Sequence, residues 1–171
     1  MIVDLAILMK RSDRTSAIKN LRDLFNDEEM EFGIVNYGST KLFFETTQTD
    51  VMYTTMRAIM EQSPETSFLS SIEDGVSRVC QSTDSEPFVF IGEQELLEYQ
   101  AGHTSCAPGS APGDLTTVNA AAPEYKQNGL GEYHLAVKKN LDAATVSKLE
   151  EALASLKESG RLDELRAKWW A

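Results

Sequence analysis

Phe32-Gly33-Ile34-Val35-Asn36-Tyr37-Gly38-Ser39-Thr40-Lys41-Leu42-Phe43-Phe44 is the stretch that decides the fold. Phe32 to Val35 reads as a short buried strand. Asn36-Tyr37-Gly38 is a turn signal, and Ser39 or Thr40 begins a helix through Lys41-Leu42-Phe43-Phe44. Strand, glycine turn and hydroxyl-capped helix make the βα unit of an open α/β sheet.

The same grammar extends outward. Pro87-Phe88-Val89-Phe90-Ile91 is a second buried strand, running into Gly92-Glu93-Gln94 and a helix that carries Leu96, Leu97 and Tyr99. Tyr133-His134-Leu135-Ala136-Val137 has the same character. Ser16 opens a helical pattern with Ile18, Leu21, Leu24 and Phe25 on one face. Asp50 caps a helix bearing Tyr53, Met56, Ile59 and Met60, which Ser63-Pro64 stops. Ser71 and Asp74 stand at capping-box spacing before Val76 and Val79. Asp142 caps a helix with Val146, Leu149, Leu153 and Leu156 in register, Gly160 ends it, and Leu162, Leu165 and Trp169 mark a last short helix. Residues 101–130 are rich in Gly, Ala, Pro, Ser and Thr, and 107–130 reads as a flexible loop or insertion. The opening Ile2-Val3-Asp4-Leu5-Ala6-Ile7-Leu8-Met9 is too short to span a bilayer and lacks the marks of a signal peptide. A buried strand or the cut end of a longer apolar helix fits it.

The chain has 171 residues, with 16 Lys+Arg against 27 Asp+Glu and a formal charge of −11. That balance argues against general affinity for nucleic acid or an anionic membrane surface. The charge is uneven. Residues 138–171 hold seven basic and six acidic side chains, whereas residues 1–137 hold nine and twenty-one. Two cysteines, Cys80 and Cys106, do not make a disulfide framework; a structural pair, two free thiols or partners outside the chain all stay open.

Signals for catalysis are thin. His103 and His134 have no metal-ligand spacing, and neither a nucleophile elbow nor a phosphate-binding loop is present. Two places stand out by their position in the fold. At Gly38-Ser39-Thr40, a helix start offers backbone N–H groups and hydroxyls to a carboxylate or phosphate; the alternative is that Ser39 only caps its helix. Glu93 sits just past the carboxyl end of a strand, where ligands of open α/β sheets bind, and can receive an ammonium group. The alternative is an acidic residue that favours the helix dipole. An anion site and a cation site at neighbouring strand ends suit an amino acid.

At these residues the chain resembles the ionotropic glutamate receptors of the AMPA/kainate type. Gly33 to Phe44 is similar to their GTLDSGSTKEFF stretch. The likeness continues in order through Val51, Met56 and Met60, then Glu73-Asp74-Gly75 with Arg78-Val79, then Glu93 with Glu98-Tyr99 and Cys106. It closes with Leu162-Asp163-Glu164-Leu165 and Lys168-Trp169-Trp170, and covers nearly the whole chain apart from 107–130. Upstream, Asp4-Leu5-Ala6 is similar to the end of the family's third membrane segment. Two residues depart from the AMPA pattern: Ile72 stands where a threonine bridges the lobes, and His134 replaces a glycine.

The resemblance implies an α/β, periplasmic-binding-protein-like (type II) clamshell. Residues 1–15 would be the end of a pore helix and its linker, 16–137 lobe 2, and 138–171 helices that return to pack on lobe 1. Ser39 and Thr40, beside Gly38, would hold the distal carboxylate of L-glutamate or a related amino acid. Glu93 would hold its α-ammonium, and Tyr133 would line the pocket. The arginine for the α-carboxylate belongs to a first segment outside this chain, and Cys106 would pair with a cysteine beyond Trp170. No cofactor, metal or nucleic acid is implied, and no enzymatic activity. The implied whole is a ligand-gated cation channel of the plasma membrane, a homo- or hetero-tetramer, with this segment extracellular. The alternative is an amino-acid solute-binding protein of an ABC-type transporter, which shares the fold.

Overall fold

Alternation along the strands places the core. In the computed structural model, which describes residues 4–47, 49–107, 113–120 and 136–169, the described strands are β1 (Leu5–Lys10), β2 (Glu31–Val35), β3 (Phe68–Leu69), β4 (Phe88–Glu93) and β5 (Leu115–Asn119). They form one sheet in the order β3-β2-β4-β1-β5. β2 runs parallel to β3 and β4, while β1 is antiparallel to β4 and β5. On one face Ile7, Met9, Phe32, Ile34, Val89 and Ile91 join a single cluster, and on the other Ala6, Leu8, Val35, Phe88 and Phe90 join a second. Period-two placement on a sheet buried on both faces explains why these strands read as continuous apolar runs.

Helices cover both faces. α1 (Leu21–Asn26), α2 (Gly38–Thr46) and α3 (Val51–Gln62) bring Leu21, Leu24, Phe43, Phe44, Tyr53, Met56 and Met60 to the first cluster. The short α4 (Pro64–Ser67) leads into β3. α5 (Ile72–Gln81) and α6 (Gln94–His103) bring Val76, Val79 and Leu97 to the second. Gly75 lets α5 lie close on the sheet, since a Cβ there would meet the Phe90 ring at 2.6 Å. The caps at Asp50, Ser71 and Asp142 are made as their spacing predicts: their side chains accept from Met52, Asp74 and Thr145 N–H groups.

Several expectations are corrected. The reading of residues 1–15 as the end of a pore helix and its linker fails for Leu5–Lys10, which is an interior strand. Apolar side chains at Ala6 to Met9 meet helices on both sides, and the backbone bonds to β4 and β5. The 107–130 loop contains β5, whose Leu115 is buried and whose Thr116, Thr117 and Val118 suit the pleat. The first helix begins at Leu21, because the Asn20 side chain accepts from the Arg22 and Asp23 N–H groups, and Thr15–Ala17 is a separate 3₁₀ turn. Of the strand expected at 133–137, residues 133–135 lie outside the described ones, and Ala136 and Val137 carry no regular structure.

Cys106 is also corrected. It pairs with Cys80, not with a cysteine outside the chain. The two Cα atoms lie 5.0 Å apart, inside the reach of a disulfide, and both residues pack on the second cluster. Across a separation of 26 residues the crosslink limits the unfolded chain by about 3 kcal/mol.

The chain divides into two compact units, residues 1–132 and 133–171. The second contains α7 (Ala143–Glu158) and α8 (Arg161–Trp169), joined at Gly160, whose φ of +72° ends α7 in the left-handed region. No side chain of either helix is buried, and Leu149, Leu153, Leu156, Leu162, Leu165 and Trp169 are all exposed.

Candidate functional site

The parallel register of β2 and β4, with Gly33 level with Phe90, sets the carboxyl ends of these strands side by side. β2 passes into α2 through Gly38, whose φ of +80° is a conformation that suits glycine. Lys41 steadies that turn by donating to Asn36 Oδ1 at 2.8 Å. β4 passes into α6 without a loop, and Gln94 ties the junction down: its N–H donates to Asp4 O at 2.7 Å, and its Oε1 accepts from Asn119 Nδ2 at 3.0 Å. Leu5 pairs with Glu93 across β1 and β4, so the carboxylate sits at a fixed point of the sheet edge.

Ser39 Oγ donates a hydrogen bond to Glu93 Oε1. The two places singled out in the sequence therefore face each other, although 54 residues separate them. Neither side chain serves as a helix cap. The residue at the N-cap of α2 is Tyr37 and that of α6 is Glu93, and neither makes a side-chain capping bond. By contrast α1, α3, α5 and α7 are all capped by a side chain. The first turn of α2 thus keeps its backbone donors for another acceptor.

Gly38, Ser39, Thr40 and Glu93 line one cavity of about 120 Å³. Its remaining walls are mostly apolar and include Val35, Ile72, Leu96 and Leu97. Glu93 and Ser39 are half-buried and Thr40 is buried. A carboxylate in such a site can take the N–H donors of an ammonium group, while the α2 terminus and its hydroxyls suit a carboxylate. No group of His, Cys, Asp and Glu among the described residues has the arrangement of a metal site.

With the site in view, the chain can be set beside known proteins. No family model matches it. Glutamate receptor 3 of Rattus norvegicus is 29% identical over 167 residues, which is 98% of this chain and 17% of the receptor. Glutamate receptor U1 of Xenopus laevis is 27% identical over 165 residues, 96% of this chain and 30% of the receptor. Drosophila muscle GluRIIB, solved in complex with glutamate, superposes with a TM-score of 0.69 at 25% identity, covering 99% of this chain and 59% of that one.

Its homologues are glutamate receptors. The fold is the periplasmic-binding-protein-like fold of the glutamate receptor ligand-binding domain. These relatives are receptors and not enzymes. The chain spans under a third of the curated glutamate receptors named above.

The structure thus brings together Gly38, Ser39, Thr40 and Glu93, whereas Tyr133 lies outside the described residues. Reasoning from sequence missed Tyr37, Leu96 and Leu97 as cavity lining. The signal was present for the two leucines, which fall in the first helical turn after Glu93. It also missed Gln94 and Asn119, whose mutual bond needs the placement of β5.

Proposed function

We propose that this chain is the lobe-2 half of an extracellular amino-acid-binding domain of a ligand-gated cation channel, with L-glutamate as its ligand. The observation that carries the reading is the convergence of Ser39 and Glu93 on one cavity with the uncapped start of α2. In this reading Gly38, Ser39 and Thr40 receive the distal carboxylate, Glu93 the α-ammonium, and Tyr133 lines the pocket. A separate lobe 1 supplies the partner of the α-carboxylate. Ligand docks on lobe 1, and its contacts with Ser39, Thr40 and Glu93 reward closure of lobe 2, which pulls on the pore.

The exposed leucines of α7 and α8 with Trp169 support the assignment of residues 138–171 to a docking role on lobe 1. The Cys80–Cys106 disulfide supports placement in an oxidising compartment, as on the outer face of the plasma membrane. No helix among the described residues is long and apolar enough to cross a membrane. Assembly into a tetramer belongs to the whole receptor.

A second reading, an amino-acid solute-binding protein, is favoured by Leu5–Lys10, which is an interior strand of the sheet and not the end of a helix. The sequence upstream of Met1 separates the two. A pore helix there supports the receptor, and an unbroken first lobe supports the binding protein.

The direct test is calorimetric titration of glutamate into the complete two-lobe domain and its Glu93→Ala variant. Loss of a desolvated ion pair costs about 2–5 kcal/mol of binding free energy. An unchanged affinity removes Glu93 from the pocket, and no glutamate binding by the unaltered domain removes the proposed ligand.

A further inference from the structure

The end of the sheet far from Glu93 carries a second cavity. Leu5 pairs with Glu93 at one end of β1 and β4, and Lys10 closes β1 at the other, where β4 starts. There a cavity of about 330 Å³ is lined by Lys10, Arg11 and Arg14 from the connection after β1. Ser82, Asp84 and Pro87, from the connection before β4, complete its wall. Hydrogen bonds within the first connection fix its shape. The buried Thr15 hydroxyl donates to Lys10 O at 2.8 Å, and the Ser12 N–H donates to Thr15 Oγ1 at 3.0 Å.

The charge here runs against that of the surrounding unit. Residues 1–137 hold nine basic and twenty-one acidic side chains, yet three of the nine line this one cavity. Asp84 is the single acidic residue in the lining; it is exposed and forms no ion pair among the described residues.

The three basic side chains also keep donors in hand. Lys10 Nζ donates to Cys80 O at 3.1 Å and Ser82 O at 3.3 Å, which leaves one N–H of the ammonium group. Arg11 Nε donates to Leu115 O at 3.3 Å, and its two terminal nitrogens have no partner among the described residues. Arg14 places its terminal nitrogens on Asp27 at 2.9 Å and Glu29 at 3.0 Å. Its Nε is buried and, among the described residues, is the one buried side-chain nitrogen or oxygen without a hydrogen-bond partner. A buried donor of that kind calls for an acceptor. Water can serve one nitrogen, but it does not answer the positive excess of Lys10 and Arg11 over Asp84. An anion with several oxygens answers both, and guanidinium groups match such oxygens in geometry.

We propose that this cavity binds a tetrahedral oxyanion of the phosphate class, held by Lys10, Arg11 and the Nε of Arg14. Such an anion ties the connection after β1 to the connection between α5 and β4. Neither Ser39 nor Glu93 takes part, so the site is independent of the ligand bound at the first cavity.

The experiment titrates sodium phosphate into the isotope-labelled full chain at low ionic strength, followed by amide NMR shifts and calorimetry. Saturable shifts are expected at residues 10–15 and 82–84, and added sodium chloride is expected to weaken the binding. Arg11→Gln is expected to weaken it roughly tenfold, through loss of charge-assisted hydrogen bonds. Arg11 is exposed, so an unchanged melting curve will separate this effect from misfolding. Asp84→Asn is expected to strengthen binding roughly threefold by removing the opposing charge. Flotation with vesicles of phosphatidylcholine and phosphatidic acid in equal parts identifies the source of the phosphate. Binding of inorganic phosphate without vesicle capture supports a free oxyanion. Capture that inorganic phosphate competes away and Arg11→Gln abolishes supports a lipid headgroup. Neither saturable shifts nor capture overturns the proposal. So does binding that Arg11→Gln and Asp84→Asn both leave unchanged, which would be a diffuse response of the surface to ions.

Discussion

Residues 1–132 and residues 133–171 solve the burial problem in opposite ways. The first unit places a five-stranded sheet between two helix layers and fully buries Phe43, Phe44, Phe90, Met56 and Met60. The described helices of the second unit are well formed, with an aspartate cap and a glycine stop, yet bury no side chain. Local signals thus suffice to shape a helix but not to give it a core. The charge follows the same division. The acidic excess lies in residues 1–137, while the nearly neutral 138–171 carries the exposed leucines that a partner surface would cover.

The contrast can be broken most sharply at Phe90, which is 1% exposed. Phe90→Ala is expected to cost about 3–5 kcal/mol of stability in denaturant unfolding of the chain. A loss below about 1 kcal/mol would mean that the second cluster is not a packed core. Leu153, at 39% exposed, is the matching probe in the second unit. Leu153→Ala is expected to change the stability of the chain by no more than about 0.5 kcal/mol. A loss near that of Phe90→Ala would show that α7 is already covered, and the contrast between the units would collapse.

The finest probe is the cap of α7. Hydrogen bonds from the Thr145 hydroxyl and backbone N–H hold the Asp142 carboxyl below its ordinary value. A depressed folded value means the ionised cap supports the helix at pH values above the unfolded carboxylate range, and this support is lost as pH falls through the depressed value. Amide exchange at the start of α7 is expected to quicken as pH falls through that window, after correction for intrinsic rates. Asp142→Asn is expected to remove the dependence, and an equal dependence in the variant would assign it to another group.

Much of the fold was legible in local pattern. Asp50, Ser71 and Asp142 announced their helices because a cap is chemistry within three residues. Leu5–Lys10 was ambiguous, since a short apolar run suits a strand or a helix until something pairs with it. β5 was hidden in a Pro- and Gly-rich stretch because a five-residue edge strand needs its neighbour to declare it. Cys80 gave no sign of its partner, since a bond across 26 residues depends on where α5 and α6 end in space.

The sequence alone determined that one strand ends in a glycine turn at Gly38 followed by a hydroxyl pair, and that another runs out at a carboxylate, Glu93. Backbone preference and capping act over a few residues, so such features can be read without the fold. Only the tertiary structure decided that Ser39 serves Glu93 and not its own helix. The parallel pairing of β2 with β4 sets that choice, because a hydrogen bond between residues 54 positions apart exists only once the sheet has brought their strand ends together.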